Sequence, residues 1–144
     1  SLAIMLFMQT AFANKAQQRL FEAARHGGPS DVKAAIESGA NINARKKGVT
    51  TALRIATRFN DTSVVKTLLK LGAKVDQGRE GDWTALMHAA RNAEPAMARA
   101  LLNHGADLER RTYAGEKSDW TPIIFAAGDN DAAMVKTLIE KELT

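Results

Sequence analysis

A chain of 144 residues with 45% hydrophobic side chains is long enough for one domain with a core of ordinary size. It contains no cysteine, which excludes disulfides, thiolate nucleophiles and Cys-ligated metal sites. The net charge of +4 is mild: it favours acidic partners slightly and does not by itself mark a nucleic-acid binder, and no segment reaches the ~18 apolar residues that span a bilayer.

Residues 1–13 form the first predicted element. Leu2-Ala3-Ile4-Met5-Leu6-Phe7-Met8 is apolar, and Ala11-Phe12-Ala13 follows. An apolar run before a small-x-small triplet reads as the tail of a secretory signal peptide, with cleavage after Ala13, although the usual positive stretch is missing. This reading places the protein in a bacterial periplasm or outside the cell. The other reading is a native N-terminal helix that caps the next unit, because exposed apolar side chains have to be covered somewhere. A cytoplasmic location goes with that alternative.

From about residue 16 the chain repeats itself. The first unit, about 16–46, has an inner helix with Leu20, Ala23 and Ala24, a breaker Gly27-Gly28-Pro29-Ser30-Asp31, and an outer helix with Val32, Ala35 and Ile36 ending at Gly39-Ala40. The second, 47–79, opens Thr51-Ala52-Leu53, buries Leu53 and Ala56, then Val65, Leu68 and Leu69, and ends at Gly72-Ala73. The third, 80–116, repeats this 33 residues on, with Thr84-Ala85-Leu86, Ala89 and Ala90, then Ala98, Leu101 and Leu102, and Gly105-Ala106. The fourth, 117–144, opens Thr121-Pro122-Ile123 after a connection four residues longer. It buries Ile123, Ala126 and Ala127, then Val135, Leu138 and Ile139, and has Glu142-Leu143 where Gly-Ala is due, which reads as a C-terminal cap. The i, i+3, i+4 spacing in each outer helix marks one buried stripe.

Both markers have local physical reasons. A threonine at the start of an inner helix can accept an orphan backbone N–H, worth ~1 kcal/mol, and Pro122 carries the φ of a first helical turn. A glycine past the end of an outer helix takes the left-handed conformation without a Cβ clash. The phased motifs, such as Lys66-Thr67-Leu68-Leu69-Lys70-Leu71-Gly72-Ala73 and Asp119-Trp120-Thr121-Pro122-Ile123, resemble the ankyrin repeat family over nearly all of the chain. The resemblance implies an all-α solenoid of four stacked helix-turn-helix repeats with finger loops, occupying residues 14–144. One departure stands out. Arg54, Met87 and Ile124 occupy the position where the family often has His, so the family's Thr–His hydrogen bonds are not expected.

Chemistry has few candidates. His26, His88 and His104 have no partners at metal or catalytic spacing, and no serine elbow, phosphate loop or HExxH-type motif is present. The chain therefore reads as a non-enzyme without cofactor or metal. Binding has more. Carried over by phase from the family, exposed inner-helix positions fall on Arg25 and His26, Arg58 and Phe59, Arg91 and Asn92, Gly128 and Asp129. Finger positions fall on Lys47 and Thr50, Glu80 and Trp83, Lys117 and Trp120. Arg25, Arg58 and Arg91 recur every 33 residues and should form a ladder. Lys46, Lys47, Arg79, Arg110, Arg111 and Lys117 add positive fingertips, and Tyr113 lies on the long finger 109–118. The expected function is a protein–protein interaction scaffold, acting as a monomer. Arg25, Arg58 and Arg91 would pair with an acidic partner segment, and Phe59, Trp83, Asn92, Trp120 and the finger residues Arg110, Arg111 and Tyr113 would add contacts. The alternative is a basic surface for nucleic acid.

Overall fold

In a computed structural model, which describes residues 1–78, 81–113 and 119–143 and only the backbone of Glu142, the chain is helical. Among the described residues there are α1 (Leu2–His26), α2 (Pro29–Glu37), α3 (Ala52–Arg58), α4 (Thr62–Lys70), α5 (Ala85–Arg91), α6 (Pro95–Asn103), α7 (Pro122–Gly128) and α8 (Ala132–Glu142). The nearest approach to a strand among them is one isolated rung, Lys46 to Thr50. Arg79, Glu80, Thr144 and the finger tip 114–118, with Lys117, lie outside the described residues.

The helix starts follow the sequence with one exception. Thr51 Oγ1 accepts from the Arg54 N–H at 3.3 Å and Thr84 Oγ1 from the Met87 N–H at 3.2 Å. Thr121 makes no such bond, and α7 starts on Pro122 instead, whose fixed φ serves the first turn without a cap. Asp61 and Asp131 cap α4 and α8, each accepting a backbone N–H at 3.1 Å. The outer helices end as expected, with Gly39, Gly72 and Gly105 at φ +104, +97 and +87. The inner helices α3, α5 and α7 are followed by a second set of left-handed residues, Asn60, Ala93 and Asn130.

The helices pack in pairs, α1 with α2, α3 with α4, α5 with α6 and α7 with α8. The inner helices stack in order (α1, α3, α5, α7), as do the outer ones (α2, α4, α6, α8), giving two layers with one continuous core between them. The buried alanines Ala24, Ala56, Ala89, Ala90 and Ala126 leave room for close stacking. Two expectations fail at the far end. Ala127 and Ile139 are exposed, although their phase mates Ala90 and Leu102 are buried. Those mates are covered by the next pair, whereas no pair stacks on the far side of α7 and α8 among the described residues. The largest buried side chain there is Phe125, which is 1% exposed.

Hydrogen bonds also tie unit to unit. Asn43 Oδ1 accepts from the Lys74 N–H (2.8 Å) and Asp76 Oδ2 from the Asp107 N–H (3.0 Å), while within the first unit Gln17 Oε1 accepts from the Asn41 N–H (2.9 Å). These bonds give partners to backbone donors that the turns between units would otherwise leave to water.

Residues 2–13 form one unbroken helix with the inner helix of the first unit. Residues 1–15 are all exposed, with Phe7 at 75%, and burial begins at Ala16. No helix among the described residues is long and apolar enough to cross a membrane.

Candidate binding site on the inner-helix face

The last turns of the stacked inner helices bring the phased residues together. Arg25, His26, Arg58, Phe59, Arg91, Asn92, Gly128 and Asp129 are all exposed. Cations suit these positions, because the carbonyl end of a helix carries partial negative charge.

Two of the ladder arginines lie on aromatic rings. The Arg25 guanidinium sits over Phe59 at 5.1 Å from the ring centre, and Arg91 sits over Trp83 at 5.4 Å. His26 also meets Phe59, at 6.4 Å. Arg58 has no such ring partner, and none of the three pairs with a carboxylate among the described residues. Phe59 remains 49% exposed despite these neighbours. Asn92 is held from behind, its Nδ2 donating to the Thr57 carbonyl of the preceding unit at 3.2 Å.

The tryptophans are half-buried and packed inward. Trp83 lies 4.4 Å from the Phe125 ring and 5.1 Å from His88, and Trp120 lies 5.1 Å from Phe125. Each therefore offers a partner only part of its ring. Between α3 and α5, Arg58, Trp83, His88, Arg91 and Asn92 line a pocket of about 350 Å³. His88 titrates at about 4, below its usual range, first because it is desolvated and then because Arg54, Arg58 and Arg91 repel a further positive charge. Arg54 is half-buried. One Nη donates to the Val49 carbonyl at 3.2 Å, its Nε has no hydrogen-bond partner, and burial lowers its pKa.

The long finger is separate from this cluster. Its base is closed by Thr112 and Trp120, with Thr112 N–H donating to Trp120 O at 3.1 Å and Trp120 N–H to Thr112 Oγ1 at 3.2 Å. Arg111 pairs with Asp119 at 3.3 Å, and Arg110 is half-buried and bears on Asp76. Tyr113 is 59% exposed on one side. Its other side lies on Gly81, where a Cβ would come within 2.5 Å of the ring. Gly81 has φ +87 as well, so both space and backbone demand glycine there.

A family model described as ankyrin repeats (3 copies) matches residues 20–112. The chain belongs to the ankyrin repeat family. A search of curated proteins finds no match. Ankyrin repeats are generally protein–protein interaction modules and are typically non-enzymatic, which implies a protein partner. The pair α7–α8 continues the ankyrin stacking beyond the matched residues.

Against the ankyrin pattern, the missing histidines are replaced in different ways. Met87 keeps the reciprocal cap, its sulfur accepting from the Thr84 N–H at 3.4 Å. Arg54 turns its side chain to the Val49 carbonyl instead. The candidate residues thus divide into an inner-helix set (Arg25, Arg58, Phe59, Trp83, Arg91, Asn92) and a finger set (Arg110, Arg111, Tyr113, with Trp120 beneath). Sequence reasoning overlooked His88 as part of the first set. Its place three residues before Arg91, one helical turn away, was the available signal.

Proposed function

We propose that this ankyrin repeat protein is a non-enzymatic, monomeric scaffold that holds an acidic segment of a partner protein in the groove between its inner helices and fingers. The observation that carries this reading is the row of three in-phase arginines without a carboxylate partner among the described residues. Such a row leaves positive potential along one face, which speeds association with an acidic chain and selects for it. Arg25 and Arg91 stand on aromatic rings, so part of the side-chain ordering that binding requires is already in place. Phe59 adds exposed apolar area in the middle of the row.

A basic face could also meet phosphates. The inward packing of Trp83 and Trp120 weighs against nucleic acid, because single strands are held by bases stacked on open aromatic faces. Salt separates the two readings. Several phosphate contacts make log K fall steeply with log salt, while a protein segment paired to two or three arginines responds weakly. The direct test is to recover the partner with the intact chain, identify it by mass spectrometry, and compare its affinity for the parent and for Arg58→Ala/Arg91→Ala.

Residues 1–13 are proposed to be the remnant of a secretory leader, which places the protein in a periplasm or outside the cell. Their full exposure supports this, since they add no side chain to the core. Removing them should leave the melting temperature within about 2 °C, because burial begins only at Ala16. A drop of 10 °C or more on deletion would make the segment a cap and return the protein to the cytoplasmic reading.

A further inference from the structure

We infer that the pocket between α3 and α5 is a built subsite for one carboxylate, taking the side chain of a single aspartate or glutamate of the bound segment. This rests on the groove reading above and assigns to one place in it what the ladder as a whole would share.

The argument starts from the lining. Arg58 and Arg91 both face this pocket of about 350 Å³, joined by Trp83, His88 and Asn92. Both arginines line one cavity, and neither is paired with a carboxylate among the described residues. A third arginine, Arg54, also acts on His88 from α3, with Asp82 acting on Arg54 in turn. The charges that act on His88 in this cluster are all positive, and an anion here would offset them.

One donor is also held: the Arg91 guanidinium sits over the Trp83 ring, 5.4 Å from its centre. A planar edge of parallel N–H groups matches the two oxygens of a carboxylate. Trp83 is itself fixed by Phe125 and His88. Asn92 is anchored to the Thr57 carbonyl, so it stands at the rim in a set position. Arg58 comes from the neighbouring unit and has no ring or carboxylate partner among the described residues. A carboxylate, with two oxygens, asks for fewer donors than a phosphate dianion, with three.

His88 supplies a reporter. The charged groups that face it are Arg54 and Arg58 from α3 and Arg91 from its own helix, and all of them repel a proton. On the other side α7 has no titratable residue, and Arg99 of α6 lines a different pocket with Thr137 and Lys141. An anion set between Arg58 and Arg91 offsets that repulsion. Binding must then raise the pKa of His88 from about 4 toward its ordinary value. By linkage, the affinity for the carboxylate must increase as pH falls from neutrality until the ligand itself is protonated.

The test titrates the whole chain with a terminally blocked Gly-Glu-Gly peptide, its Gly-Gln-Gly counterpart and inorganic phosphate, following the His88 ring by NMR. The Glu peptide should shift the His88 resonances and raise its pKa, and the Gln peptide should do neither. Arg58→Gln or Arg91→Gln should weaken the Glu response roughly tenfold or more, while Lys66→Gln on the outer helix α4 leaves it unchanged. Circular dichroism of each variant checks that these exposed substitutions leave the helices in place. Equal responses to Glu and Gln, a Glu response that survives both arginine changes, or a response to phosphate without one to Glu would each overturn the assignment. Should His88 ignore the Glu peptide while partner binding still depends on Arg58 and Arg91, the subsite is wrong and the groove reading stands. A His88 response with no such dependence of partner binding would leave the subsite standing and remove the groove reading.

Discussion

His88 shows how one residue ties the site to the stability of the fold. Its pKa is lower in the folded chain (about 4, against an ordinary 6.5), so the unfolded chain takes up the proton first as pH falls. The stability it contributes is full above pH 6.5 and is lost progressively as pH drops toward about 4. The whole effect is on the order of 3 kcal/mol, and half or more of it is read above pH 5, before most carboxylates titrate. His88→Gln should flatten this part of the curve, as measured by urea unfolding at a series of pH values; an unchanged acid limb would show that the imidazole is not held neutral. Gly72 is a simpler case. It has φ +97 with nothing within 4 Å of an added Cβ, so substitution meets backbone strain alone. Gly72→Ala should cost about 1 kcal/mol and Gly72→Val more, and equal stability of Gly72→Val would mean a different turn. Glycines of this kind could be read from the sequence, because Gly-Ala at fixed phase has one good explanation. Ala93, left-handed at φ +57, could not, because alanine gives no sign of such a role.

Helix pairs were legible because their periodicity and their stops come from local chemistry. What the sequence hid was whatever depends on neighbours. Thr121 has the same motif position as Thr51 and Thr84 yet makes no cap, and nothing in the motif distinguishes it. Ala127 and Ile139 look like core by phase and are exposed for want of a following pair among the described residues. The bonds between turns are also invisible to periodicity. Asn43 and Asp76 occupy the same phase, 33 residues apart, and each accepts a backbone N–H from the next unit. Asp76 makes this bond from a desolvated site that raises its pKa, with its second oxygen unpartnered. Asp76→Ala should leave the Asp107 N–H without its acceptor and cost about 1–2 kcal/mol in urea unfolding. A neutral result would show that water replaces the carboxylate at no cost.

For the whole molecule, two stacked layers place the ends of the inner helices in one row, and that geometry converts a 33-residue period into one exposed face. The ladder itself could be read from spacing alone. Its division into Arg25 on Phe59, Arg91 on Trp83 and an unstacked Arg58 could not, because those contacts cross between units or between a helix and a finger. The finger residues Arg110, Arg111 and Tyr113 are the chief rival site. Arg111 already has a carboxylate partner and Tyr113 has one side against Gly81, so less of this finger is open to a ligand. The central claim is that the inner-helix arginines, and not this finger, carry the partner. Titration calorimetry with the recovered partner decides it. Truncating one side of a partly desolvated charge pair costs ~2–5 kcal/mol, so Arg58→Ala/Arg91→Ala should abolish measurable binding with the helical spectrum intact. Normal binding by that double variant, together with loss in Tyr113→Ala or Arg110→Ala/Arg111→Ala, would place the site on the finger and contradict the account.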